Sequence, residues 1–389
     1  MKEPSIIQRS FQGWKMWLAI LIGLSVAGWM LFSSISEVRF IKVTDNTGSY
    51  SWIDSNDNGL VDTKLAAEFI PSKNGSYREE TLSDSLTEIQ WSNTSILWLF
   101  FALVFMVGRD FFYMLRIRLL THSELSWKSS FHVIMLWEFA SALAPGVLGG
   151  AAVAMFILNK EKIDLGRSTA IIFITALMDN LFYILLIPFV FVFIDAAQLF
   201  PHQAFNTANI QWVFWIGYSV FVGICLFMFT TLFIVPKLAT GFLKIVFSLP
   251  FLNRKREHAI KTGKDIEASS KIFKKESFGF WLKVFGATCA SWTSRFLVIN
   301  ALLQAFLNLG IMDHFLVLGK QLILWLLMRV SPTPGGSGIA EYAFGELMVT
   351  FSQSALLLSA LAILWRLISY FPYLFIGAVL LPRWLRKKH

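Results

Sequence analysis

The chain has 389 residues, of which 56% are hydrophobic, 16% aromatic and only 15% charged, with a formal net charge of +9. A soluble domain of this length carries nearer a quarter charged residues, and several stretches reach the roughly 18 to 20 consecutive apolar residues that a bilayer-spanning helix needs. That excludes a soluble globular class, and the two cysteines, Cys225 and Cys289, each inside an apolar run, exclude a disulfide framework and a zinc site. The fold class is all-α polytopic membrane protein.

The first apolar stretch, WKMWLAILIGLSVAGWMLF from Trp14, has too long a core for a cleaved signal peptide and is a retained first helix, so residues 1–35 form an N-terminal end and a span. Residues 36–94 are an acidic, Ser- and Asn-rich insertion, expected to be a small extracytoplasmic cap. Within it DSNDNGLVD resembles the start of a calcium loop at Asp54, Asn56, Asn58 and Asp62. Leu65 stands where the bidentate Glu belongs, so an ordinary Asn/Gly turn is the better reading, and neither metal nor cofactor is expected.

Further apolar runs lie at 95–115, 131–158, 168–194, 211–235, 278–308, 314–351 and 355–381. If each were one crossing, the segment from Asn253 with its eight Lys or Arg would lie opposite the basic N-terminus, against the positive-inside rule. The conflict disappears if 131–158 and 314–351 are re-entrant hairpins, broken at Pro145 and around 332–338. Every basic segment then becomes cytoplasmic, including residues 116–128 with Arg116 and both chain ends, and about six full spans remain. The chain divides into a first repeat at 95–194, a connecting span and basic loop at 195–277, and a second repeat with a basic tail at 278–389.

The hairpins resemble each other. Ala144–Ala152 (APGVLGGAA) aligns with Thr333–Glu341 (TPGGSGIAE), matching Pro145 with Pro334, Gly146 with Gly335 and Gly149 with Gly338. Entering from opposite sides, they make inverted repeats, a plan that recurs in transporters whose site lies between the repeats. Thr333 followed by Pro334 suggests a helix cap, with the helix running from about Gly335 through Gly336 and its N-terminus open to an anion. On that helix Gly338, Glu341 and Gly345 share a face, a bare strip carrying one carboxylate.

Other ionisable or polar residues lie within apolar runs: Glu138, Asp179 with Asn180, Arg295, Lys320, Arg329 and Arg366. Arg109 and Asp110 are adjacent, so they point apart on a helix and need partners elsewhere. Charges at membrane depth typically cost roughly 2.5 kcal/mol or more, which favours a polar cavity between the repeats. Arg295, Arg329 and Arg366 are its expected phosphate contacts, with Asp179 and Glu341 as counterweights; Arg109 and Lys320 could instead snorkel to an interface.

The segment RVSPTPGGSGIAE resembles the TPGG-x-G-x-x-E signature of the flippase-like family typified by the transmembrane region of lysylphosphatidylglycerol synthase, matching at Thr333, Pro334, Gly335, Gly336, Gly338 and Glu341. The resemblance runs from about 95 to 381 and implies paired re-entrant hairpins and movement of a lipid with an anionic head between leaflets. Two departures bear on the substrate. Gly150, Ala151 and Ala152 stand where family members commonly carry Glu and then Arg, and Ala176 stands where an Arg often precedes the retained Asp179. With no room before His389 for a soluble transferase domain, the chain is not expected to synthesise its own lipid.

The leading function is a flippase-like transporter of an anionic phospholipid or lipid-linked intermediate in the cytoplasmic membrane. The expected partners are membrane lipids and a lipid-modifying synthase, without nucleic acid. The competing classes are a membrane-embedded lipid-phosphate transferase or hydrolase, which needs a convergent acid, base and nucleophile, and an accessory subunit of an envelope lipid synthase.

Overall fold

In the computed structural model the described residues are Ser25, Phe32 and most of 40–386; outside them lie the rest of 1–39 and 44–46, 56–60, 62–64, 80, 82–90, 144–147, 200–206, 249–255, 332, 334, 353 and 387–389. The expected first span at 14–33 therefore lies outside the described residues apart from Ser25 and Phe32, as do Asn56, Asn58 and Asp62 of the calcium-like loop.

The insertion holds a small antiparallel sheet of β1 (Phe40–Lys42), β2 (Gly48–Trp52), β3 (Phe69–Gly75) and β4 (Tyr77–Glu79), in the order β1-β4-β2-β3. Its short strands are held by aromatic packing: Phe40 stacks on Phe69 at 4.1 Å, and Tyr50 and Tyr77 meet them edge-on. Glu68 is fully buried and accepts a hydrogen bond from Trp52 Nε1 at 2.9 Å.

Thirteen helices follow among the described residues. They are α1 (Asn93–Leu120), α2 (Trp127–Leu143), α3 (Leu148–Lys160), α4 (Leu165–Phe193), the short α5 (Ala196–Leu199), α6 (Thr207–Phe229), α7 (Lys237–Val246), α8 (Arg256–Phe273), α9 (Phe278–Gln304), α10 (Ile311–Val330), α11 (Ile339–Met348), α12 (Ala355–Ser369) and α13 (Phe371–Arg386). Among the described residues five helical stretches are long and apolar enough to cross a bilayer: Asn93–Leu120, Leu165–Phe193, Trp215–Ile234, Ile311–Arg329 and Leu356–Arg386. The expected span at 278–308 forms the 27-residue α9, outside that set, with Lys283, Arg295 and several Ser and Thr among its residues. Conversely α10, expected as a hairpin arm, is itself long and apolar enough to cross.

The sidedness of α1 is the reverse of a soluble helix. Its outward residues are Leu97, Phe100, Val104, Val107 and Phe111, whereas Arg109, Tyr113 and Arg116 are buried. Hydrocarbon solvates the apolar face and the protein interior must satisfy the polar one. A helix break occurs where the pattern predicted one, between Val330 and Ile339; the other, expected at Pro145, falls in 144–147, outside the described residues, between α2 ending at Leu143 and α3 beginning at Leu148.

Packing between the halves is reciprocal. Helix α1 packs on α9, α2 on α13, and α10 on α4, so each broken pair leans on a long helix of the other half. The α2–α13 contact is close at Gly377, where an added Cβ would lie 2.2 Å from Phe139 Cγ. Overpacking such a contact costs about 1–3 kcal/mol. Gly377→Leu is therefore expected to lower the unfolding temperature in detergent, whereas Gly217→Ala, with nothing within 4 Å of the new Cβ, leaves it nearly unchanged.

Candidate functional site

A cavity of about 310 Å³ lies where α1, α2, α3, α4, α9, α10, α12, α13 and the 331–338 loop converge. Five arginines line it, Arg109, Arg116, Arg295, Arg329 and Arg366, against two carboxylates, Glu138 and Asp179. Guanidinium groups stay charged at any physiological pH, so each must be met by counter-charge, hydrogen bonds or an aromatic face.

Three of the five are met by carboxylates. Arg109 donates to Asp110 Oδ1 and Glu138 Oε1, both at 2.6 Å, and to the Tyr373 hydroxyl at 2.9 Å, while that hydroxyl donates to Asp110 at 2.7 Å. The expectation that adjacent Arg109 and Asp110 point apart is overturned, because the long arginine bends back along α1 to share Tyr373. Neither Arg109 nor Lys320 snorkels outward: both are buried, although Lys320 does not line the cavity.

Arg116 pairs with Asp179 and donates to Thr288 Oγ1 at 3.2 Å, joining α1, α4 and α9. Helix α1 continues past it to Leu120, and Arg116 is 2% exposed. Asp179 thus takes its cation from α1. The missed signal was spacing, since Arg109, Tyr113 and Arg116 fall at i, i+4 and i+7 on one helical face.

Arg366 is held by the loop at 331–338. Its Nε lies 3.0 Å from Glu341 Oε1, and Nη2 donates to Gly335 O and Ser337 Oγ, each at 3.1 Å. The expected helix start at Thr333 and Gly335 is overturned: α11 begins at Ile339 with Gly338 as its N-cap. Gly335, Gly336 and Gly338 have φ of +57°, +69° and +89°, a left-handed run that glycine alone adopts readily and that cannot continue a right-handed helix. Thr333 closes the loop by donating from Oγ1 to Ser337 O at 2.8 Å.

Glu341, the third residue of α11, accepts from Gly338 N at 2.7 Å, so the helix start is already capped by the chain's own carboxylate. The bare strip is likewise corrected. Glu341 is buried against Arg366, and a Cβ on Gly345 would meet nothing within 4 Å, so Gly345 serves no close approach in this chain. Gly335 is the closely approached glycine: its added Cβ would lie 2.1 Å from the Tyr370 ring. That ring carries Arg366 at 3.8 Å and donates its hydroxyl to Ala142 O at 3.2 Å, linking the 331–338 loop to the end of α2.

Arg295 and Arg329 have no carboxylate in ion-pairing contact among the described residues. Arg329 donates to Asn180 Oδ1 at 3.3 Å and lies over the Trp325 ring at 4.5 Å; Arg295 lies over Trp292 at 5.4 Å. Of the remaining expected site residues, Thr333, Gly335 and Gly336 line the cavity and Gly149 lies in the first turn of α3, while Pro145, Gly146 and Pro334 fall outside the described residues. The described residues contain no group of three His, Cys, Asp or Glu that could hold a metal ion.

Removing Arg366 strands a buried carboxylate, which typically costs about 3–5 kcal/mol. Arg366→Gln and Glu341→Gln are each expected to destabilise the protein, and the double variant by less than their sum, a coupling of about 1–3 kcal/mol in a thermal-unfolding cycle.

The family described as Lysylphosphatidylglycerol synthase TM region matches residues 85–377. A UPF0104 membrane protein from Archaeoglobus fulgidus is 27% identical over 305 residues, covering 75% of this chain and 89% of that protein. No solved structure matches significantly.

Proposed function

The chain belongs to the lysylphosphatidylglycerol synthase transmembrane-region family of multi-pass membrane proteins, and from that premise we propose that it is a flippase-like transporter that carries an anionic lipid head between leaflets through the arginine-lined cavity. The head enters while the acyl or prenyl chains stay in the bilayer. The observation that carries this reading is the unpaired charge: the cavity holds two guanidinium groups, on Arg295 and Arg329, that have no carboxylate in ion-pairing contact among the described residues. A lipid phosphate would supply the missing anion, and guanidinium binds phosphate oxygens in a planar, often bidentate fork.

The reciprocal packing of α2 on α13 and α10 on α4 supports reading the halves as inverted repeats, each with a re-entrant hairpin. On this reading both termini and the basic loop face the cytoplasm, and the protein sits in the cytoplasmic membrane. Its partners are lipids with anionic heads and a synthase that makes them.

Reconstitution tests the proposal. Purified full-length protein in liposomes is expected to equilibrate a fluorescent-tailed anionic phospholipid between leaflets without changing its mass. Arg295→Gln and Arg329→Gln should each slow that movement at least tenfold, the effect of about 1.4 kcal/mol on a barrier. Covalent change of the lipid, or unaltered movement in the variants, would contradict the proposal.

A further inference from the structure

We propose that α7 is a membrane-surface helix: it lies in the plane of the leaflet at the Ile234 end of the preceding span, with Leu238, Phe242 and Ile245 among the acyl chains and Lys237 and Lys244 at the level of the lipid phosphates. No residue of α7 lines the arginine-rich cavity, so this docking surface is separate from the transport reading.

The sequence KLATGFLKIV sets up two faces. Leu238, Phe242 and Ile245 are spaced four and three residues apart and form one stripe, while Lys237, Gly241 and Lys244 repeat that spacing on the adjoining side. Neither face carries a carboxylate. A helix of 10 residues is too short to cross a bilayer. An amphipathic helix can instead lie in the interface with its apolar face sunk about 5–10 Å and its lysines reaching up to the phosphates.

The surroundings leave the stripe to lipid. Helix α8 covers the Thr240 side of α7: Thr240 is buried, and a Cβ added to Gly263 would lie 2.8 Å from Thr240 Cα. On the other side Leu238, Phe242 and Ile245 are 43%, 50% and 72% exposed. A π-helical turn at Thr230–Ile234 and then Pro236, which has no N–H to donate, end the span and turn the chain. Helix α7 then folds back, and its Phe242 ring meets Phe227 of α6 with centroids 4.9 Å apart. Phe227 lies seven residues before Ile234, the end of the span, a depth of about 10 Å along a helix axis. Exposed Leu226, Phe229, Ile234 and Val235 continue the apolar surface from α6 to α7. This continuity with the hydrocarbon-facing side of a span, together with the bordering lysines, identifies the occupant as the phospholipid leaflet. By lying on it α7 holds α8, which packs on α4, the helix of Asp179 and Asn180.

The test places nitroxides on the full-length protein in liposomes of phosphatidylcholine and phosphatidylglycerol, with Cys225 and Cys289 replaced by alanine. At Phe242→Cys and Ile245→Cys, relaxation by oxygen, which concentrates in hydrocarbon, is expected to exceed relaxation by a water-soluble nickel chelate several-fold. At Lys237→Cys and Lys244→Cys the order is expected to reverse. Chelate access at 242 and 245 equal to that at 244 would put the stripe in water, and exclusion of both reagents would put it against protein, such as a second copy of the chain; either result overturns the proposal. In a second variant, Phe242→Glu sets a charge into the stripe and should raise chelate access at Ile245→Cys several-fold, because a carboxylate resists immersion. Unchanged access there contradicts the proposal. Neither readout requires lipid to move, so its failure is distinguishable from failure of the reconstitution assay.

Discussion

An arginine cannot discard its charge, and a protein bathed in hydrocarbon cannot turn that charge outward except at the interface. Five guanidiniums around one cavity therefore constrain the rest of the architecture. Three are neutralised within the protein, and the same contacts frame it. Arg109 joins α1 to α2 and α13, Arg116 joins α1 to α4 and α9, and Arg366 joins α12 to α11 and the loop before it. The apolar exteriors of these helices contribute no comparable specificity, because lipid solvates Leu and Phe as well as a neighbouring helix does. The polar interior sets which helices meet.

The loop before α11 and the end of α2 are coupled through one aromatic ring. Tyr370 fits over Gly335, where any side chain would collide with it, and its hydroxyl reaches the end of α2 at Ala142. Arg366 lies over the same ring and is fixed by Glu341. Glu341 thus acts as a cap for α11 and as the counter-ion of Arg366, which removes the start of α11 as an open anion site. The anion-receptive chemistry shifts to Arg295 and Arg329, whose direct contacts are neutral: an amide, two indoles and the Phe221 ring.

Much of this was legible in the sequence, and the misses have identifiable causes. Hydropathy and the distribution of Lys and Arg located most of the long helices and the break between α10 and α11, because a bilayer imposes length and composition so strongly. Eight of the expected site residues, Glu138, Asp179, Arg295, Arg329, Thr333, Gly335, Gly336 and Arg366, do line one cavity. The helix start was misplaced because Thr-Pro followed by glycines fits a capped helix as well as a left-handed loop, and only the φ values separate them. Arg116 was not among the expected cavity residues because it lies four residues from the end of α1, where a membrane-flanking arginine is also expected; its i+7 relation to Arg109 carried the signal. Pairing could not be read at all. That Arg116 takes Asp179 while Arg295 takes no carboxylate depends on packing between segments more than sixty residues apart.

The central claim is that Arg295 and Arg329 hold a lipid phosphate. Native mass spectrometry of the protein released from mild detergent measures this directly. The account predicts one bound phosphate-bearing lipid on the unaltered protein and loss of that species, with the protein still folded, when both arginines are glutamine. An equal population of the same lipid on the double variant would contradict it.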